Sequence, residues 1–273
     1  MEENVPHDGR TRYTHGHESA VLASHGARTA ETSAAYLLPH LRAGMDVLDV
    51  GCGPGTITLD LAALVGPGRV VGLEPVDAPL EAARRAATTR DDRTTTFRLG
   101  DVQQLPFDDD SFDVVHAHQV LQHLGDPVGA LREMLRVCRP GGIVAARDAD
   151  YAAMAWYPAY PELDTWLATY RAIAHGNGAE PDAGRRLRAW ARAADLPGVE
   201  ISTSVWSYGS EESCRWWGES QAARVAGDLF RRQAAAHGLD DAAVDDVAQG
   251  WRRWGGDPDA WFVIPHGELL ARP

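Results

Sequence analysis

The sequence predicts an α/β protein built on a doubly wound, largely parallel sheet. Two observations support this prediction. Short apolar segments alternate with helical segments through the first half of the chain, and a buried strand runs directly into a glycine-rich turn that opens a helix. Strands that alternate with helices at this spacing form parallel sheets with right-handed crossovers. With 273 residues, 44% of them hydrophobic, the chain is long enough for one domain with added elements.

The predicted elements follow one another in a regular order. A helical stretch from Tyr13 to Leu41 precedes the first strand, and further helices fill most of the second half of the chain. One of these later helices is expected to run from residue 211 to 237. The predicted strands lie at residues 47–50, 69–73, 94–99, 112–117, 143–147, 199–206 and 260–272.

The charge and cysteine content argue against several classes of function. Acidic residues number 39 against 26 basic residues, all of them arginine, which gives a formal net charge of −13. Because nucleic acids are bound by clustered positive charge, we expect no nucleic-acid partner. Cys52, Cys138 and Cys214 are far apart and suggest neither disulfides nor a metal site. No signal-peptide pattern and no apolar run of about 20 residues occurs, so we expect a cytoplasmic protein without membrane insertion.

The glycine-rich turn is the most informative segment. In the stretch VLDVGCGPGT, residues 47–56, the glycines permit tight turns and close approach of a ligand. The helix that follows offers free N–H groups and a partial positive charge. A dinucleotide-binding turn has its third glycine where this chain has Thr56, and Pro54 removes a backbone donor that a diphosphate would use. The turn therefore favours a cofactor with a carboxylate and a ribose.

Acidic residues follow the next two predicted strands. Glu74 ends the second strand, about 20 residues past the turn, where a carboxylate can accept hydrogen bonds from both hydroxyls of a ribose. Asp101 follows the third strand, where an adenine amino group would lie. Each residue alone is compatible with a surface acid beside a turn. Together with the glycine turn, at successive strand ends, they indicate one nucleoside-binding site.

Residues 47–150 resemble class I S-adenosylmethionine (SAM)-dependent methyltransferases of the type found in ubiquinone and menaquinone biosynthesis. The matching segments are LDVGCGPG, Glu74, GDVQQLPFDDDSFDVV at residues 100–115, VLQHLGDP at 120–127 and LRVCRPGG at 135–142. The resemblance implies a Rossmann-like sheet of seven strands with the last strand antiparallel. It also implies an enzyme that uses SAM as cofactor and releases S-adenosylhomocysteine (SAH).

The resemblance also implies a division of the chain, which we expect to form a single methyltransferase domain over residues 1–273. The stretch YTHGHESAVLASH, from residue 13 to 25, looks like the lid helix that precedes the fold in some of these proteins. Two helical insertions depart from the family pattern and are expected to cover the acceptor. The expected parts are N-terminal lid helices at residues 1–43, a SAM-binding core at 44–150, the insertions at 151–184 and 208–259, and the last two strands at 199–206 and 260–272.

The same resemblance implies roles for individual residues along the cofactor. The turn and the strand before it would line the methionine end, the acidic residue after the second strand would bind the ribose, and the residues after the second and third strands would contact the adenine. A residue of the N-terminal lid would cap the cofactor. The predicted cofactor-binding residues are Tyr13, Asp49, Gly51, Cys52, Gly53, Gly55, Glu74, Pro75, Val76, Asp101, Val102 and His118.

Methyl transfer from a sulfonium is an in-line displacement, and alignment of the nucleophile, methyl group and sulfur supplies much of the rate enhancement. An oxygen or carbon acceptor can also require a base. The candidates for that base are His17 on the N-terminal lid, His123 after the fourth strand and Asp150 after the fifth. Alignment without any base stays an alternative, and no metal site is predicted.

The acceptor is expected to be a small organic molecule, such as a phenol, a quinone precursor or a natural-product intermediate, methylated on oxygen, nitrogen or carbon. Trp156, Trp216 and Trp217 lie in the insertions and are candidates for its pocket. Other interpretations stay open: a protein that uses SAM structurally for cyclisation or isomerisation, a nicotinamide-dependent oxidoreductase, or a binding module. The sequence leaves the assembly open, a homodimer included.

Overall fold

Eight strands form one mixed sheet in the computed structural model, which describes residues 28–273. The strands are β1 (Val47–Val50), β2 (Val70–Glu74), β3 (Thr96–Leu99), β4 (Phe112–His118), β5 (Cys138–Ala149), β6 (Ala155–Tyr157), β7 (Glu200–Tyr208) and β8 (Trp261–Ala271). The predicted residues 1–27 of the N-terminal lid lie outside the described part of the chain.

The strand order confirms the predicted fold class. β3, β2, β1, β4 and β5 lie side by side in that order and are parallel. β8 runs antiparallel between β5 and β7, as expected for the last strand. The structure contains one short strand beyond the predicted seven. This strand is β6, which pairs with the first three residues of β8. A segment of three residues is too short to show a strand periodicity in the sequence.

Four of the described α-helices begin after a residue whose side chain accepts a hydrogen bond from a free backbone N–H group. Asp126 accepts a hydrogen bond from the Gly129 N–H at 2.7 Å, and Asp240 accepts one from the Ala243 N–H at 2.9 Å. The described helices are α1 (Ala30–Ser33), α2 (Thr56–Val65), α3 (Asp77–Thr89), α4 (Pro127–Val137), α5 (Pro161–Gly176), α6 (Leu187–Ala193), α7 (Glu211–Ala226), α8 (Asp228–Ala235) and α9 (Asp241–Gly255).

Two helices differ from their predicted extents. The N-terminal helix was expected to continue to Leu41, but α1 ends at Ser33, and a single 3₁₀ turn at Leu38–His40 follows. Pro39 within that turn lacks an N–H and disfavours helical geometry for the residue before it. The helix expected over residues 211–237 is divided into α7 and α8, because Gly227 between them has an extended backbone with ψ of 148°.

Each face of the sheet packs against its own helices, since successive strand residues point to opposite faces. Leu48 and Val50 of β1 belong to a core cluster with α4 and α6, whereas Val47 belongs to a second cluster with α1 and α2. Among the described residues, no helix combines the length and apolar character that crossing a bilayer requires.

A third core cluster joins the helices of the two insertions. α5, α7 and α9 pack together over the beginning of β8, and their contact surface is largely aromatic. Trp251 is fully buried, with its ring edge-on to Trp166 at 4.9 Å and to Trp254 at 5.7 Å. Both insertions therefore pack into one layer, although residues 185–207 separate them along the chain.

We expect Trp251→Ala to lower the free energy of unfolding by about 3–5 kcal/mol, because it removes a buried aromatic ring and leaves a cavity in this third cluster. Urea denaturation followed by circular dichroism measures the change. Trp261, which is 42% exposed on β8, offers a matched control. Trp261→Ala should cost less than half as much, and equal losses would contradict the account of the insertions as a packed core.

Candidate active site

A cavity of about 890 Å³ opens at the carboxyl ends of β1, β2 and β4. Chain order reverses between β1 and β4, and open α/β sheets bind ligands at such a switch point. The walls come from the glycine turn, the segment after β2, Asp101 after β3, and residues 118–126 after β4. We call this space the glycine-turn cavity.

The glycine turn adopts a backbone that side chains rarely tolerate. Gly51, Gly53 and Gly55 have φ angles of +64°, +53° and +77°, all in the left-handed region. A Cβ on Gly55 would lie 2.8 Å from the Cβ of Ala83 and 2.9 Å from the Phe97 ring. A Cβ on Gly53 would meet nothing within 4 Å. Gly55 therefore lets α2 pack against its neighbours, whereas Gly53 borders open space in the cavity.

The carboxylate of Asp49 holds the base of the turn in place. Asp49 is 2% exposed, and its Oδ1 lies 2.7 Å from His116 Nδ1 on β4. Its Oδ2 accepts a hydrogen bond of 2.6 Å from the Thr58 hydroxyl on α2. Asp49 lines the cavity, as predicted, but its carboxylate also connects three elements. No sequence motif marks His116, although its register opposite Asp49 in the parallel sheet explains the contact.

Glu74 faces the turn from the end of β2. Its Oε2 accepts a hydrogen bond of 3.1 Å from the Gly53 N–H. Burial raises the pKa of Glu74 to about 7, and the nearby negative charge of Asp49 acts in the same direction, while hydrogen bonds from the backbone N–H groups of Gly53 and Val76 oppose the rise. The carboxyl group therefore changes its charge near neutral pH, in direct contact with the cavity.

Most of the predicted cofactor-binding residues line one cavity. Pro75, Val76 and Asp101 form its rim, and the Asp101 Oδ1 accepts a hydrogen bond of 2.9 Å from the Gln103 N–H. Two predicted residues lie behind the wall: Gly55 at the start of α2, and Val102, which is part of the core. Tyr13 lies outside the described residues. The predicted residues on the wall are Asp49, Gly51, Cys52, Gly53, Glu74, Pro75, Val76, Asp101 and His118.

Two of the three predicted bases lie within the described residues, and the structure places them in different surroundings. His123 lines the cavity, but burial together with the positive charge of Arg28 lowers its pKa to about 3, which makes it a weak proton acceptor. Asp150 does not line the glycine-turn cavity, and its two oxygens accept hydrogen bonds of 2.6 Å and 2.7 Å from Arg185. His17 lies outside the described residues. His118 also lines the cavity, and both of its ring nitrogens are buried without a hydrogen-bond partner among residues 28–273.

A second cavity, of about 540 Å³, adjoins the first and is walled largely by aromatic rings. We call it the aromatic cavity. Trp216 and Trp217 line it, as predicted for the insertions, whereas Trp156 stacks on Phe262 at 5.7 Å and is not part of the wall. The aromatic lining residues are Tyr151, Trp166, Trp206, Tyr208, Trp216 and Trp217.

Gln119 and Arg28 line both cavities and mark the place where they meet. Gln119 has a φ of +54°, and its Oε1 accepts a hydrogen bond of 2.9 Å from Arg28 Nη2. Its Nε2 lies 2.8 Å from His266 Nε2. The His266 Nδ1 is 2.9 Å from the Ile264 carbonyl oxygen, so this nitrogen carries the proton and the other ring nitrogen accepts from Gln119. This bridge could not be predicted from the sequence, because its members are far apart along the chain.

This fold and this site define a class: α/β proteins that bind a nucleoside cofactor at a glycine turn, with an acidic residue on the next strand. A family model described as a methyltransferase domain matches residues 41–195. An uncharacterised methyltransferase of Schizosaccharomyces pombe is 37% identical to this chain over 273 residues, which covers 95% of this chain and 96% of that protein. The chain therefore belongs to the class I SAM-dependent methyltransferases.

Other similarities agree with this assignment. The demethylmenaquinone methyltransferase of Lactococcus lactis is 35% identical over 121 residues, covering 44% of this chain and 48% of that protein. The resemblance to quinone-type methyltransferases is thus confirmed. The YcgJ protein from Bacillus subtilis has the same fold, with a TM-score of 0.58 at 20% identity over 87% of this chain and 97% of that one. Family membership removes the nicotinamide-dependent and binding-module interpretations.

We expect Gly55→Ala to destabilise the protein more than Gly53→Ala. Both substitutions place a side chain in the left-handed region, which costs about 1–2 kcal/mol. Only the added methyl group at Gly55 also collides with Ala83 and Phe97. Thermal unfolding of the two variants measures the difference, and a lower melting temperature for Gly53→Ala would contradict the packing described for the turn.

Proposed function

We propose that this protein transfers a methyl group from SAM in the glycine-turn cavity to a small organic acceptor in the aromatic cavity. The observation that carries the proposal is the contact between the two cavities at Gln119 and Arg28. A methyl group has to pass in line from sulfur to its acceptor, so the two binding sites of a methyltransferase must adjoin. A phenol, a quinone precursor or another natural-product intermediate fits the aromatic walls.

The residues around the first cavity suit the parts of SAM. The Glu74 carboxylate, which accepts a hydrogen bond from the Gly53 N–H, is proposed to accept hydrogen bonds from the ribose hydroxyls. Pro75, Val76 and Asp101 at the rim are proposed to hold the adenine, and the turn with His118 the methionyl part. Bound SAM supplies an electrophilic methyl group on a sulfonium.

The chain's own contribution to the reaction is mainly alignment. The turn fixes one partner, the aromatic walls fix the other, and the hydrogen-bonded Gln119 between them has a defined orientation. Well-oriented reactants can gain up to about 7–11 kcal/mol from such positioning. His17, His123 and Asp150 stay predictions as bases, and transfer by alignment alone remains the alternative that needs none of them.

We expect calorimetric titration to detect binding of SAM and of SAH, and Glu74→Ala to weaken it by at least about tenfold, because the ribose loses a charged hydrogen-bond acceptor. Glu200→Ala, which removes an exposed carboxylate on β7, is the matched control and should leave binding unchanged. Methyl-labelled SAM incubated with a panel of phenols then tests transfer. Absence of SAM and SAH binding to the unaltered protein would refute the proposed function. In the incubation, a product that lacks the labelled methyl group would favour cyclisation or isomerisation.

The affinity for SAM should rise with pH across neutrality. The pKa of Glu74 is raised to about 7 in the free protein, so at lower pH its carboxyl group is protonated and cannot accept both ribose hydrogen bonds. Binding favours the ionised form and releases a proton below that pKa, and the dissociation constant should change by up to about tenfold per pH unit there. Titrations between about pH 6 and about pH 8 measure the slope. Glu74→Gln should bind weakly with a flat profile, and an equal slope in that variant would assign the effect to another group.

A further inference from the structure

Arg147 is a buried cation that lines the aromatic cavity. It lies near the end of β5, and its side chain is 1% exposed. Its Nε donates a hydrogen bond of 3.0 Å to the Ser204 hydroxyl and lies 3.4 Å from Glu268 Oε1. By contrast, Nη1 and Nη2 are buried and have no hydrogen-bond partner among residues 28–273. Only one edge of the guanidinium is therefore satisfied by the described protein.

Buried donors without partners are costly, and for a charged group the cost is larger than for a neutral one. Burial lowers the pKa of Arg147 to about 10, with Glu268 acting against the shift, so the guanidinium stays charged at neutral pH. Glu268 is itself occupied, because its Oε2 accepts a hydrogen bond of 2.7 Å from the Ser202 hydroxyl. Nη1 and Nη2 of Arg147 could therefore both be satisfied by a ligand that offers two acceptor oxygens.

The surroundings of Arg147 favour an anion that carries a flat ring. Its guanidinium carbon lies 5.0 Å from the centre of the Trp206 ring, and that of Arg28 lies 5.3 Å from the same ring. In a chain with a net charge of −13, the aromatic cavity has more cationic than acidic groups on its wall. The charged lining residues are Arg28, Arg147 and Arg224 against Glu31 and Glu268.

Building on the proposed function, we infer that the acceptor is a planar aromatic carboxylic acid whose carboxylate pairs with Nη1 and Nη2 of Arg147. The planar fork of a guanidinium matches the two oxygens of a carboxylate, and such paired hydrogen bonds fix orientation as well as strength. The ring system of the acceptor then packs on Trp206 and its aromatic neighbours. Arg147 is a binding and positioning residue in this account, because the methylated atom lies on the side of the acceptor nearer Gln119.

The inference is tested with two matched pairs of probes, each an acid beside its neutral amide: 3-hydroxy-2-naphthoate with 3-hydroxy-2-naphthamide, and salicylate with salicylamide. The members of a pair have the same rings and differ in the charged group. Each probe is titrated calorimetrically into the full chain saturated with SAH. We expect at least one acid to bind about tenfold or more tightly than its amide.

Substitution of Arg147 should abolish this preference. In Arg147→Met the acid and the amide should bind within about threefold of each other, because the fork is lost while the aromatic walls remain. The single variant leaves the buried Glu268 carboxylate without its ion-pair partner. The double variant Arg147→Met with Glu268→Gln removes both charges, and it replaces the single variant in the titrations if the single variant does not fold. Arg231→Met removes a cation on α8, outside both cavities, and should keep the preference of the unaltered protein.

Binding of SAH to every variant shows whether the fold and the cofactor site are intact. If SAH fails to bind to the unaltered protein, the proposed function fails, independently of the acceptor. If SAH binds but neither acid is preferred over its amide, the inference about the acceptor is overturned while the proposed function stands. An acid preference that survives in the folded double variant would also overturn it, because the anion would then be bound elsewhere.

Discussion

The arrangement of the site depends on the hydrogen bonds of one buried carboxylate, that of Asp49. It joins β1 to β4 through His116 and to α2 through Thr58, immediately before the chain enters the glycine turn. A buried charge held by two short hydrogen bonds permits little displacement, since a shift would leave it unsatisfied in a low-dielectric interior. The turn thus starts from a fixed point, and Glu74 meets the Gly53 N–H across it. The glycine conformations shape the cavity, and this carboxylate sets where the cavity lies.

Most of the wall of the glycine-turn cavity could be predicted from the sequence, because each of its signals is local. β1, the turn and α2 are contiguous, and the apolar runs and glycines that define them lie within ten residues. Glu74 and Asp101 could be placed near the turn because parallel strands end at one edge of a sheet. Two helix boundaries were predicted wrongly, the end at Leu41 and the undivided helix at residues 211–237. These boundaries depend on single backbone conformations rather than on periodicity.

The aromatic cavity could not be derived in this way. Trp206 and His266 come from strands separated by three helices, and Gln119 reaches the same place from a loop after β4. Nothing near Arg147 in the sequence marks it as buried, apart from the apolar strand in which it lies. Such sites arise from tertiary packing of distant segments. Of the three tryptophans predicted for the acceptor pocket, Trp216 and Trp217 line the aromatic cavity and Trp156 does not. A tryptophan that packs in a core and one that borders a cavity look alike in sequence.

The double pairing of β8 has a consequence for how this protein can diverge. Its first residues belong to the aromatic cluster of the insertions, and its last residues belong to the cores that support the glycine turn. One continuous strand therefore supports both cavities, the aromatic cavity through its first residues and the glycine turn through its last. α5, α7 and α9 pack against one another in the aromatic cluster, and α7 also contacts β7. New acceptor specificities should accordingly evolve through exchanges in those helices, while β8 changes slowly as the shared structural constraint.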